Sequence, residues 1–174
     1  IFLILNLFDF RSFVSFNLSM TVISSGGFLP TNTLSTLLNT KTKEIIFSLV
    51  MLLSFFSLFF TYNVALYKEK GFKFIQEDIY LIFYLLIITF GCFVLIDKSI
   101  DFSLIFLAIS SSVSNIGLSM EETPNFLSFI FLILIIIGGS FYSTSSGLRF
   151  IKIYSLFKFS INEMISHAKP KNVF

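Results

Sequence analysis

Few residues that carry covalent chemistry occur in this 174-residue sequence. It has one cysteine, Cys92, and one histidine, His167, so its own residues form neither an internal disulfide nor a zinc site of the usual kind. No histidine and no pair of acidic residues lies in the long apolar segments, so we expect no catalytic residues and no enzyme activity. Only 13% of the residues are charged, and the net charge of +2 is too small and scattered for a nucleic-acid-binding face.

Apolar residues are in excess. They make up 55% of the chain, and the mean hydropathy is +0.91. A helix needs roughly 20 mostly apolar residues to cross a bilayer, and residues 45–67 and 79–96 meet this requirement. A third apolar run, 126–159, meets it only if its middle, 138–147, is irregular. The sequence therefore predicts an all-α polytopic membrane protein.

Two further apolar segments are too short to cross a bilayer. Residues 10–23 follow Asp9 and residues 102–113 follow Asp101. As helices they would be about 21 and 18 Å long, against a hydrocarbon core of about 30 Å. Each aspartate stands where a helix N-cap is expected. Each segment is interpreted as a short helix in a loop, as half of a buried helix pair, or as a re-entrant pore helix.

The two short segments and the residues after them form an internal repeat. A displacement of 90 residues aligns Ser24 with Ser114 and Gly27 with Gly117, and a long apolar helix follows each copy. Chance similarity in a sequence of low complexity is the alternative. The repeat favours the re-entrant interpretation. It predicts two units of a potassium-channel-like architecture, each with an outer helix, a re-entrant pore loop and an inner helix. The outer helix of the first unit is truncated, and residues 1–8 are expected to be its tail.

We call residues 24–28 the first loop and residues 114–118 the second loop. Glycine in each loop permits left-handed backbone torsions, so the carbonyls can point at an axis and replace the hydration shell of a monovalent cation. An ordinary glycine-containing turn is the alternative. The predicted filter residues, with potassium held by their backbone carbonyls, are Ser24, Ser25, Gly26, Gly27, Ser114, Asn115, Ile116 and Gly117.

Residues 138–147, the interrupting loop, break the third apolar run. Glycine pairs and hydroxyl residues weaken a helix. The loop is therefore interpreted as an intramembrane gate or, alternatively, as a short connection between two interfacial helices. Arg149 behind it lies at the inner mouth of the pore or snorkels to the headgroups. The predicted gate residues are Gly138, Gly139, Ser140, Ser143, Thr144, Ser145, Ser146, Gly147 and Arg149.

These motifs resemble the membrane subunit of bacterial potassium uptake systems, the TrkH/KtrB superfamily. The SSGGF at 24–28 is similar to the family's STGGF filter, and the GGSFYSTSSGLR at 138–149 is similar to its GGxxGSTAGGIK gate sequence. The resemblance covers essentially all 174 residues. Because the family has four pore-loop units, the resemblance implies that 1–67 is the second unit, 68–78 a cytoplasmic linker, 79–159 the third unit and 160–174 a cytoplasmic tail.

The resemblance also implies a function and partners. The function is uptake of a monovalent cation, foremost potassium, across the bacterial inner membrane, without a cofactor in this chain. The implied partners are the lipid bilayer, a cytosolic nucleotide-binding subunit of TrkA/KtrA type, and a second copy in a homodimer. Phe141 and Tyr142 depart from the small residues of the family's gate. Rival functions are a non-conducting scaffold, a degenerate, split subunit, or a membrane-embedded enzyme.

The chain begins at Ile1 and contains only two of the four units that the family has. We therefore expect it to be a piece of a longer transporter.

Overall fold

The computed structural model describes residues 1–31, 33–58, 72–95, 101–118 and 125–168. Across these ranges the chain is helical, without a named β-strand, which confirms the expectation of an all-α protein for this part of the chain. The helices are α1 (Phe2–Leu7), α2 (Ser12–Ser24), α3 (Lys41–Phe55), α4 (Phe72–Leu95), α5 (Phe102–Val113), α6 (Asn125–Ile136) and α7 (Phe150–Ala168).

One of the described helices is long and apolar enough to cross a membrane. It is α4, whose segment Asp78–Leu95 has a mean hydropathy of 2.3, with 22% of its residues buried inside the protein. The other apolar helices are shorter, and α3 with its 15 residues reaches only about 22 Å. The structure thus supplies one candidate span, where the sequence predicted three spanning elements.

Helix α5 lies at the centre of the packing. Its residue Leu107 belongs to a buried cluster with α1, α2 and the first half of α3. Its residues Ile105, Ile109 and Val113 belong to a second cluster with the end of α3, α4 and α6. A short apolar helix buried on both sides is held by its neighbours, since a helix of 12 residues is marginal by itself.

The predicted helix over 45–67 differs from helix α3 within the residues that the structure describes. Helix α3 begins at Lys41, because the Thr40 hydroxyl caps it by accepting from the Lys43 backbone N–H at 3.4 Å. It ends at Phe55, and Phe56 has an extended backbone. The backbone N–H of Ser140 donates to the Phe55 carbonyl at 3.1 Å, so the interrupting loop takes up a carbonyl at the helix end. Residues 59–67 lie outside the described residues.

Other predicted boundaries also shift. Helix α4 begins at Phe72, so residues 72–78 of the predicted linker are helical. Helix α7 continues to Ala168, so most of the predicted tail 160–174 is helical too. Apolar content decided the predicted bounds, but the polar ends of these segments are equally able to form helix. Residues 68–71, 96–100 and 169–174 lie outside the described residues.

The predicted aspartate N-caps are not formed. Helix α2 has Arg11 at its N-cap, and Asp9 two residues earlier has a left-handed φ of 58°. Asp101 does occupy the N-cap position of α5, but its side chain makes no capping hydrogen bond. Its carboxylate instead accepts from the Lys41 ammonium at 2.8 Å, which ties the start of α5 to the start of α3.

Candidate functional site

The first and second loops share one backbone conformation. Ser25 and Asn115, which are 90 residues apart, have left-handed φ angles of 50° and 58°. Gly27 and Gly117, again 90 residues apart, have φ angles of 66° and 78°. Non-glycine residues with positive φ are uncommon, so a matched pair of them at the repeat distance is informative. The structure therefore repeats, torsion by torsion, the period that the sequence predicted.

The hydrogen bonds that close the two loops repeat as well. The Gly26 N–H donates to the Thr21 carbonyl at 3.2 Å, and the Ile116 N–H donates to the Ser111 carbonyl at 3.1 Å. Both bonds run from the third residue of a loop to the carbonyl five residues earlier, on the last turn of the preceding short helix. The chain thus leaves α2 and α5 by the same turn.

The two loops lie against each other. A Cβ atom built on Gly27 would stand 2.7 Å from the Ile116 carbonyl oxygen, closer than real Cβ atoms come to any heavy atom. Only glycine therefore permits this approach together with a φ of 66°. The structure brings the backbones of the two predicted filter segments side by side, about 90 residues apart in sequence.

Backbone hydrogen bonds join the two ends of the interrupting loop to each other. The Gly138 N–H donates to the Leu148 carbonyl at 2.8 Å, and the Leu148 N–H donates to the Ile136 carbonyl at 3.0 Å. Between these residues the chain is not helical, and α6 and α7 lie before and after it. The break therefore falls where the glycine and hydroxyl content placed it.

The interrupting loop is anchored to the end of α3. The N–H groups of Ser140 and Ser145 donate to the carbonyls of Phe55 and Ser54, each at 3.1 Å. A Cβ atom on Gly139 would collide with the Phe55 carbonyl oxygen. Glycine at 139 thus permits a backbone-to-backbone contact that sequence reasoning did not anticipate, because it joins segments about 85 residues apart.

Arg149 holds the interrupting loop from within. Its Nη1 lies 3.1 Å from the carbonyl oxygens of Ser140 and Ser143, 3.2 Å from that of Ser145, and 3.0 Å from the Ser143 hydroxyl oxygen. A guanidinium is a permanent cation with several donors, so it offsets the carbonyl dipoles that converge on it.

Three side chains connect the interrupting loop to the two filter segments. Asn115 donates its amide N–H to the carbonyls of Ser146 at 2.9 Å and of Ile135 at 3.1 Å. The Ser25 hydroxyl donates to the Thr144 carbonyl at 3.4 Å. The Ser145 hydroxyl donates to the Val113 carbonyl at 3.4 Å. The predicted filter and the predicted gate therefore form one hydrogen-bonded assembly.

Two residues of this region were missed by sequence reasoning. The Thr21 hydroxyl donates to the Phe28 carbonyl and closes the first loop across its ends. Asp78 is fully buried, and its carboxylate accepts from the Ser57 N–H at 3.1 Å next to the end of α3. The position of Asp78 at the edge of an apolar segment was a usable signal, because an ionisable residue at such a place marks a functional candidate.

The chemistry available at this site is that of neutral oxygen atoms. Backbone carbonyls and serine hydroxyls dominate it, and such oxygens suit hard cations with a modest hydration energy. Among the residues that the structure describes, no group of three histidine, cysteine or acidic side chains converges to hold a metal ion. The site thus has ligands for cation coordination by carbonyls.

No family model, no curated protein and no solved structure matches the chain. The resemblance to the TrkH/KtrB superfamily stays a prediction.

Proposed function

We propose that this chain forms part of a membrane pathway for a monovalent cation, foremost potassium. The cation passes the carbonyls of the first and second loops, and the interrupting loop gates the passage. The pathway lies in the bacterial inner membrane, and the candidate span Asp78–Leu95 supports a location in a membrane. A second copy in a homodimer and a cytosolic nucleotide-binding subunit of TrkA/KtrA type complete the proposal.

One observation carries the proposal. Two segments 90 residues apart adopt the same left-handed backbone and touch at Gly27 and Ile116. A repeated loop after a short buried helix is the arrangement in which several carbonyl-lined segments surround one axis. The chain offers two such segments, so the remaining part of the ring comes from elsewhere in the complete protein.

The hydrogen bonds of the interrupting loop support its role as the gate. It contacts both loops and the end of α3, so a displacement of this loop changes the support of the filter at several points. Its backbone bonds to α3 use two N–H groups, and its Arg149 contacts are internal to the loop region. Moving the loop as a unit keeps the Arg149 contacts and breaks the hydrogen bonds to the two filter segments and to the end of α3 together.

The test is cation flux into liposomes that contain the protein expressed from its complete gene, with its nucleotide-binding partner present. Potassium, rubidium and sodium are compared for wild type and Gly27→Ala. We expect the substitution to abolish selective flux, because the added methyl group collides with the Ile116 carbonyl oxygen. Gly91→Ala is the matched control, since a Cβ at position 91 meets no atom within 4 Å.

Equal loss of flux in Gly27→Ala and Gly91→Ala would show general damage rather than a filter. Absence of flux in folded wild-type protein under every gradient would overturn the proposal.

A non-conducting scaffold is the second candidate, and a particular observation favours it. Phe141 and Tyr142 pack edge to face at the tip of the interrupting loop, with ring centroids 4.9 Å apart. The Tyr142 carbonyl also accepts from the Leu58 N–H at 3.3 Å. Bulky, bonded residues resist displacement. Replacement of both aromatics by glycine and serine raises flux in a gated pathway, whereas a scaffold conducts neither before nor after the change.

A further inference from the structure

Asp78 is the only charged residue within the candidate span Asp78–Leu95. Its side chain is completely buried. A charged group without water is costly unless it is paired, so an ionisable residue at this place demands an explanation beyond packing. The filter and the gate described above make no use of it.

The carboxyl group of Asp78 is only half satisfied. Its Oδ1 accepts from the Ser57 backbone N–H at 3.1 Å. Its Oδ2 is buried and has no hydrogen-bond partner among the residues that the structure describes. A carboxylate has about four acceptor positions, and the described residues use none of those on Oδ2.

The carboxyl group is bonded to the same short stretch of chain as the interrupting loop. Ser57 follows the extended residue Phe56 at the end of α3. On one side of it, the Phe55 carbonyl accepts from the interrupting loop at Ser140, and on the other the Leu58 N–H donates to Tyr142. A change at the carboxyl group is therefore transmitted to both anchor points of that loop.

Among the side chains that the structure describes, none forms an ion pair with Asp78. The side chains of Lys73 and Glu77 on α4 itself lie outside the described part of the chain. Residues 55–58 and helix α5 (Phe102–Val113) contain no acidic or basic side chain. Arg149, which follows the interrupting loop, donates hydrogen bonds from its Nη1 to oxygen atoms of that loop. Tyr84 on α4 and Tyr142 on the loop carry neutral hydroxyl groups.

We propose that Asp78 is a proton-binding site, with the proton on Oδ2 when the interrupting loop is anchored to the end of α3. Burial without an ion pair to any described residue favours the neutral acid over the anion. Release of the proton to water leaves an anion that accepts hydrogen bonds from the backbone N–H and the side chain of Ser57. Hydration of that anion requires the 55–58 stretch to open, which loosens the interrupting loop. The site thus couples proton binding to the loop, whatever the loop gates.

The experiment is infrared spectroscopy of the complete protein in lipid vesicles, with isotope-labelled aspartate. A protonated carboxyl group absorbs apart from an ionised one. We expect one aspartate band of the protonated form to persist at neutral pH in wild type. Asp78→Asn removes this band, whereas the control Asp9→Asn keeps it, because Asp9 is exposed and asparagine tolerates its left-handed φ.

A second variant keeps the test decisive if Asp78→Asn does not fold. The triple variant Asp9→Asn, Asp97→Asn, Asp101→Asn leaves Asp78 as the only aspartate within residues 1–174 and does not touch the buried group. Aspartates elsewhere in the complete protein contribute equally to all variants, so the band is assigned by its difference from Asp78→Asn. The same band in this variant supports the proposal. Its absence from folded protein at neutral pH overturns the proposal, and so does a band that disappears when sodium or potassium is added, which identifies a metal cation as the ligand. None of these outcomes depends on a measurement of cation flux.

Discussion

The first and second loops have the same backbone but opposite surroundings. Residues of the first loop are largely exposed, and Phe28 at its end is 78% exposed. At the matching positions of the second loop, Ser114 is 0%, Ile116 2% and Leu118 4% exposed. The same turn is thus formed by the largely exposed sequence SSGGF and by the largely buried sequence SNIGL.

This difference separates local from tertiary causes. Left-handed torsions at Ser25 and Asn115 and at the two glycines are set by the turn itself, since they occur in both environments. Ile116 and Leu118 of the second loop are buried in the cluster with α1, α2 and α3. Asn115 donates one hydrogen bond to α6 at Ile135 and one to the interrupting loop at Ser146. The first loop has one such link, through the Ser25 hydroxyl. An exposed first loop beside a covered second loop is what the proposed incomplete ring requires.

The largest effect is expected from Arg149→Met. It removes the cation that four oxygen atoms of the loop contact, and hydrogen bonds to charged groups contribute about 3 kcal/mol. We expect thermal unfolding in detergent to show a loss of about this size, and the second loop to become as accessible to solvent as the first. Arg149→Lys, which keeps the charge, recovers part of the stability. Equal losses for methionine and lysine would show that the charge does not hold the loop.

The next largest effect is a difference in stability between substitutions at Gly27 and at Gly117. Gly27→Ala costs about 2 kcal/mol, since the methyl group meets both the left-handed torsion and the Ile116 carbonyl oxygen. Gly117→Ala costs about 1 kcal/mol, because the torsion alone is unfavourable and no atom of the described residues lies within 4 Å of the added carbon. Melting temperatures of the two variants measure the difference. If Gly117→Ala were the more damaging, the loops would not meet as described.

A smaller effect distinguishes the two links to the interrupting loop. Asn115→Ala loses two hydrogen bonds of 2.9 and 3.1 Å, and we expect a cost of about 1.5 kcal/mol. Ser25→Ala loses one exposed bond of 3.4 Å, and we expect a few tenths of a kcal/mol. Hydrogen exchange of the loop amides checks this, with faster exchange at 144–147 in the asparagine variant only. Similar exchange in both variants would contradict the comparison.

The smallest effect concerns the starts of the short helices, where Arg11 and Asp101 occupy matching positions 90 residues apart. The Asp101 carboxylate bonds Lys41 and raises the pKa of that ammonium above its ordinary 10.5. A raised pKa means that the pair stabilises the fold below pH 10.5 and loses this contribution as the pH rises through the folded-state pKa. Asp101→Asn lowers the pKa of Lys41 and leaves stability nearly unchanged, since both side chains are exposed. Nitrogen NMR of the Lys41 ammonium checks the direction, and an unmoved pKa would contradict it.

Much of the fold follows from local patterns. The helix predicted over 102–113 coincides with α5, and the break predicted at 138–147 falls between α6 and α7. Both depend on apolar runs bounded by glycine and hydroxyl residues, which act over a few positions. The end of α3 was not predictable in this way. Residues 55–58 are as apolar as the helix before them, and the carbonyls of Ser54 and Phe55 are taken up by a loop about 85 residues later.

The candidate site also has some features that local sequence determines and others that contacts between distant segments determine. The sequence by itself determined the repeat of 90 residues, the two loops with their glycines, and the position of the interrupting loop, because torsional freedom and helix propensity are properties of neighbouring residues. Only the tertiary structure decided that Gly27 lies against Ile116, that Arg149 turns into the loop, and that Asp78 is buried beside Ser57. These contacts join distant segments, and burial decides the energetic consequence of each charge.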